Sequence, residues 1–145
     1  MSVRENIASN LVTTVSAVSS PSIKKVSRQP FPLDELSQQQ YPAVLIQTIE
    51  ETKEDTELGS GAKTRIANLE FGITGYVKTN EENIDTARNN LASAIETQLE
   101  SDITRGGNAL DTEVISIETD AGSLFPYGAV LMTVRVMYEH QSATP

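Results

Sequence analysis

The sequence predicts an α+β fold: a four-stranded, mainly antiparallel sheet flanked by two helices, with a long acidic hairpin. Three observations lead there. Apolar residues recur at helical spacing in two separate segments, near the start and near the middle of the chain. Four segments have strand character, two before the second helix and two after it. Between the first two strands lies the acidic run Glu50 to Glu57, followed by the turn Gly59-Ser-Gly61.

The elements follow in order. Ser2-Val-Arg-Glu5 fits a capping box, in which the Ser hydroxyl accepts from the Glu5 N–H and Glu5 reaches back. Behind it Val3, Ile7, Leu11, Val15 and Val18 form one apolar stripe, and Ser19-Ser-Pro21 is expected to end the helix. Ile23 to Val26 fits either a short strand or a basic link. Gln29 to Gln40 reads as an ordered loop with one helical turn at Asp34 to Gln38. The first long strand starts at Tyr41-Pro-Ala-Val-Leu-Ile and runs to Ile49.

From Lys63 to Val77 the alternation is clear. Ala67, Leu69, Phe71, Ile73 and Val77 share one face; Thr64, Asn68, Glu70, Thr74 and Tyr76 share the other. Gly72 and Gly75 predict a bulge or a close approach by another element. Thr79-Asn-Glu-Glu82 fits a second capping box, followed by the stripe Ile84, Ala87, Leu91, Ile95, Leu99 and Ile103. Arg105-Gly-Gly107 is expected to stop this helix, the Arg suiting the negative end of the helix dipole. Glu113 to Thr119, with Ile115 and Ile117 on one face, and Ala129 to His140 supply the last two strands. Two hairpins around a helix favour helices on both sheet faces. One domain spanning residues 1–145 is expected, with an N-terminal helix (1–20), a loop (21–42), sheet and long helix (43–140) and a frayed tail (141–145).

Composition excludes several chemistries. The chain has no Cys, so disulfides and thiolate metal sites are out, and its single histidine, His140, has no evident nucleophile or base partner. No apolar run approaches the roughly 20 residues that span a bilayer, and a soluble protein made in the cytoplasm is expected. Gly59-Ser-Gly-Ala-Lys63-Thr64 departs from a phosphate loop, because Ala62 precedes the Lys and a strand follows it. Glu50, Glu51, Glu54, Asp55 and Glu57, with Lys53, lack the pattern and glycine of a calcium loop. They fit a solvated loop, or a surface that repels DNA or binds a partner. No catalytic, metal or cofactor site is predicted.

The net charge is −9 and uneven. Residues 1–30 carry Arg4, Lys24, Lys25 and Arg28 against Glu5, which is +3, leaving −12 for the remainder. Such a molecule repels nucleic acid over most of its surface and can pair head to tail with its own copies. Phe71 and Tyr76, on opposite strand faces, make no base-stacking platform. For an enzyme or ligand-binding domain, Asp111 and Glu113 are the carboxylates to inspect.

Taken together, the N-terminal helix, the loop into Tyr41-Pro-Ala-Val-Leu-Ile, the acidic hairpin, Leu69-Glu-Phe-Gly-Ile-Thr, the long helix and the closing Val134-Arg-Val-Met-Tyr-Glu139 resemble the tail terminator proteins of long-tailed bacteriophages. The resemblance runs from Val3 to Glu139 and lies in order and texture; the Gln29–Gln40 loop and the Arg105-Gly-Gly107 turn have no counterpart in it. It implies a structural virion protein: a hexameric ring that caps the tail tube, ends its polymerisation and joins it to the neck, with DNA passing through the lumen. A tail tube protein and a neck or connector protein would be its partners, the virion its location, and no membrane would be involved. Another head–tail connector and a small ligand-binding domain are the alternatives. Six copies at −9 each carry −54, which suits DNA transit. A closed ring needs two different patches per subunit. Lys24, Lys25 and Arg28 are expected on one; Glu50, Glu51, Glu54, Asp55 and Glu57 are expected at a neighbour, the tube or the channel.

Overall fold

The computed structural model describes residues 2–55, 64–78, 83–122, 124–141 and 145, apart from the side chains of Gln38 and Asp55. Helix α1 spans Val3–Ser16. The Ser2 hydroxyl accepts from the Glu5 N–H at 3.1 Å, but Glu5 turns away to pair with Arg28, so only half of the expected capping box forms. The helix stops at Ser16, well before the predicted proline. The β-branched run Thr13-Thr14-Val15 loses side-chain freedom against each preceding turn and weakens its end.

Strand β1 (Lys25–Ser27) runs parallel to β2 (Ala43–Asp55). β3 (Thr64–Lys78) pairs antiparallel with β2 on one side and with β5 (Tyr127–Gln141) on the other. β4 (Asp111–Thr119) closes the sheet against β5, giving the order β1-β2-β3-β5-β4. Among the described residues the sheet therefore has five strands where the sequence predicts four. The extra one is the Ile23–Val26 segment left open between strand and basic link, and it is short enough to leave little periodic signal. The loop between β1 and β2 folds two single 3-10 turns, Leu33–Glu35 and Gln38–Gln40.

Helix α2 spans Ile84–Glu100 and is capped by the Asn83 side chain, which accepts from the N–H groups of Asp85 and Thr86. The Thr79–Glu82 capping box lies outside the described residues. At the other end, Arg105 closes the helix as expected, but from inside the protein. It is 0% exposed, and its Nη2 donates to the carbonyls of Leu99, at 2.5 Å, and Asp102.

Both helices lie on the same face of the sheet, against the prediction of one on each. Ile7, Leu11 and Val15 of α1 and Leu91, Ile95 and Leu99 of α2 share one core with Leu69, Phe71, Ile73, Met132, Val134 and Val136. The physical reason is the alternation in β3. From Ala67 to Val77 its odd-numbered positions are apolar, and each large buried side chain contributes about 1.5–3 kcal/mol; its even-numbered positions carry Asn68, Glu70 and Thr74, which offer a second helix little to cover. Gly75 sits on the helix side, and a Cβ there would lie 2.6 Å from Leu91 Cδ2. That is the close approach the sequence anticipates.

Two β-bulges interrupt the register, between Thr48 and Glu50 in β2 and between Val114 and Ser116 in β4. They lie at one level of the sheet: Thr48 is opposite Phe71, Phe71 opposite Val134, and Val134 opposite Val114. A bulge bends its strand and increases the local twist, so the sheet is creased across this row. The β4 bulge also breaks the alternation that placed Ile115 and Ile117 on one face.

Candidate interaction surface

The sheet face away from the helices is built from every second residue. From the register it carries Glu50, Glu54, Glu70, Asp111, Glu113, Glu118 and Glu139 against Lys25, Lys78 and Arg135. The acids outnumber the bases, and the bases are engaged. Arg135 lies 3.7 Å from Glu70 and 3.9 Å from Glu113. The Lys25 and Lys78 ammonium groups sit over the rings of Phe31 and Tyr127. Phe31 in turn meets Tyr76 edge-on, so the loop after β1 covers one corner of this face. Elsewhere, among the described residues, the face carries no helix, and Ile49 (57% exposed) and Leu131 (37%) pack over Gly72 as a small apolar island in it.

The sequence-predicted residues divide as follows. Lys24 is exposed just before β1. Arg28 is engaged within its own subunit by Glu5, with Nη2 3.2 Å from Oε1. Glu50 and Glu54 are exposed on the open face. Asp55 ends β2 opposite Arg65, and Glu57 lies outside the described residues. The run Glu50–Asp55 is strand and not loop, extending β2 beyond the predicted end at Ile49.

Glu51 differs from Glu50 and Glu54. The β2 bulge phases it onto the helix side, where its side chain is 13% exposed. There it receives Arg4 Nη2 at 2.7 Å, has Lys53 Nζ at 3.7 Å, and accepts from the Tyr138 hydroxyl. Burial pushes the Glu51 carboxyl up, but Arg4, Tyr138 and Lys53 outweigh it and hold the group below the usual carboxylate range. Burial and the carboxylate push the Tyr138 phenol up to about 12.

The two shifts act at opposite ends of the pH scale. A lowered carboxylate gives stability that is present above about pH 4 and lost as pH falls through its folded value. A raised phenol gives stability that is present below about pH 10 and lost on the way to about pH 12. Tyr138→Phe is therefore expected to flatten part of the alkaline limb in a denaturation-versus-pH series. Tyr41 and Tyr76, both raised by burial, supply the rest. An unchanged limb would mean that Tyr138 is not protected in the folded state.

The remaining candidates are structural or isolated. His140 is buried, its Nδ1 lies 2.6 Å from the Gln141 carbonyl, and its Nε2 has no partner. Asp111 accepts from the Thr112 N–H, and Glu113 is exposed beside Arg135. Among the described residues, no cluster of three or more His, Asp or Glu stands ready for a metal, and no helix is long and apolar enough to cross a membrane.

Sequence reasoning missed the pair Arg88–Asp120. Arg88 Nη1 lies 2.6 Å from Asp120 Oδ1, with side chains 6% and 5% exposed. Burial pushes the Asp120 carboxyl up, but the N–H groups of Ala129 and Leu124 and the Arg88 guanidinium together hold it below the usual range. A signal was present: Arg88 falls on the apolar stripe, four residues after Ile84 and three before Leu91. A charge there requires a buried partner.

The chain matches no known protein-family profile and no curated protein. Among solved structures, it is similar to a chain of the virion of a native gene transfer agent (GTA) particle. The TM-score is 0.39 at 9% identity, over 96% of this chain and 92% of that one.

Proposed function

We propose that this chain is a structural virion protein of the tail-terminator type. Six copies close into a ring on the tail tube, end its polymerisation and join it to the neck, while DNA passes through the lumen. The tail tube protein and a neck protein are its partners, and no catalysis is involved. The reading starts from the order of elements between Val3 and Glu139 and is carried by one observation: among the described residues, the sheet is clothed by helices on one side and is acidic and largely uncovered on the other. A bare sheet face with an excess of carboxylates suits a channel wall for DNA. A basic wall would bind phosphates through counterion release and hold the duplex in place.

The native mass in solution tests this, by light scattering after size exclusion at low and moderate salt. A species of six times 15.7 kDa, or a salt-sensitive equilibrium between monomer and ring, is the expected result. A chain that stays monomeric at every concentration and salt would overturn a self-closing ring.

A second reading, a small ligand-binding domain, has a groove of about 940 Å3 in its favour, running between Ser19–Pro21 and the outer side of α2. Its walls include Asn90, Ser93, Thr97 and Gln98, with Lys78 as the one charged side chain among the described residues. That set can hydrogen-bond a ligand, but it brings no acid and base together for chemistry.

A further inference from the structure

We propose that the ring closes by edge-to-edge strand pairing, with the outer edge of β4 on one copy docking antiparallel against the outer edge of β1 on the next. The inference rests on the ring reading above and specifies its interface.

The sheet has two outer strands, β1 and β4, and among the described residues no strand pairs with the far side of either. An uncovered edge offers unpaired N–H and C=O groups and is a template for another chain. β4 is nine residues long and carries Asp111, Glu113 and Glu118 with no basic residue. Ile115 and Ile117 on it are 36% and 46% exposed. Two such edges repel each other, because like charges opposed across a strand pair destabilise it. That removes the symmetric β4–β4 dimer and leaves β4 in want of a basic edge.

The same chain supplies one. From Ile23 to Gln29, around β1, there are Lys24, Lys25 and Arg28 and no acid. Arg28 already serves Glu5, so Lys24 and Lys25 carry the match. Beyond β1, the free outer side of β2 bears Glu50 and Glu54, which turn the acidic β4 away. Charge therefore selects β1 over the rest of that edge.

Strand direction agrees. β1 and β2 point one way, β3 the other, β5 back again, and β4 opposite to β5. Rotation about a ring axis preserves direction along that axis. With the strands along the axis, β4 of one copy meets β1 of the next antiparallel, the pairing that places opposite charges directly across from one another. The contact is heterologous, as a closed ring requires.

A complementary charge swap tests the pairing. One variant is Lys24→Glu with Lys25→Glu; the other is Glu113→Lys with Glu118→Lys. Each alone has two edges of like charge, so its mass is expected to fall about sixfold, from the ring to the monomer. Mixed in equal amounts, the two can alternate around an even-numbered ring, and the mass of six copies is expected to return. Thermal unfolding of each variant checks the fold, and Lys24→Glu alone is the fallback, because Lys25 also leans on Phe31. If either variant alone assembles like the parent, or if the mixture fails to recover while both stay folded, the edge pairing is overturned and the ring itself stands. If the parent chain never leaves the monomer, the ring falls and the pairing with it.

Discussion

Asp120→Asn is expected to destabilise the protein by about 3 kcal/mol, the lower end of the ~3–5 kcal/mol seen when a buried ion pair loses one partner. The carboxylate does three things at once: it accepts from the Ala129 N–H at 3.0 Å, from the Leu124 N–H at 3.1 Å, and from Arg88. It thereby ties the β4–β5 connection to helix α2. An amide keeps one acceptor oxygen but leaves the Arg88 guanidinium buried with, among the described residues, only the Asp85 carboxylate paired to it, 3.0 Å away and 65% exposed. That remaining partner is why the lower end of the range applies. The double variant Arg88→Met with Asp120→Asn is expected to recover part of the loss, since no buried charge is then stranded. Urea denaturation of the parent, the single variants Asp120→Asn and Arg88→Met, and the double variant gives the coupling directly. A single-variant loss under about 1 kcal/mol would mean that the pair is screened and that the fold does not depend on it.

Arg105→Gly sets two effects of opposite sign against each other. Arg105 has φ +50°, a region that glycine enters freely and other residues at a cost of about 1–2 kcal/mol. Removing the side chain relieves that cost. It also removes the donor to the Leu99 and Asp102 carbonyls, hydrogen bonds worth about 1.5–3 kcal/mol each when one partner is charged. The apolar stem that fills the space below α2 goes as well. The larger magnitudes win, and a net loss of about 2–4 kcal/mol is expected. Burial lowers the Arg105 pKa, and its Nε and Nη1 have no hydrogen-bond partner, so some desolvation cost is recovered on truncation. A variant as stable as the parent would mean that this cost and the backbone strain together equal everything the side chain contributes.

Most of the secondary structure was legible because it rests on periodicity. The stripe from Ile7 to Val15 and the alternation from Ala67 to Val77 each leave a repeating mark, and both ended in the core. The layering was not legible. Which side of the sheet a helix takes depends on the summed burial of both faces, and the polar positions of β3 decided it in favour of one. Glu51 was misplaced for a related reason. A single extra residue at the β2 bulge shifts the phase of everything beyond it, and neighbouring glutamates read alike until the phase is known. Nothing in the sequence announces that Glu5, 23 residues earlier, lies against Arg28. Lys24 and Lys25 keep the role of contact residues as a proposal, and the acids of β4 enter it in place of those of β2.

The crease across Thr48, Phe71, Val134 and Val114 has a geometric consequence. A flat wall repeated around an axis makes a straight pipe of even bore. A wall bent at one row makes a vessel whose bore changes along its length, so its two mouths differ in diameter and in the side chains that rim them. Such an object has a direction. A junction between two cylinders of different make needs two unlike mouths, and here the difference in bore would come from one additional residue in each of two strands.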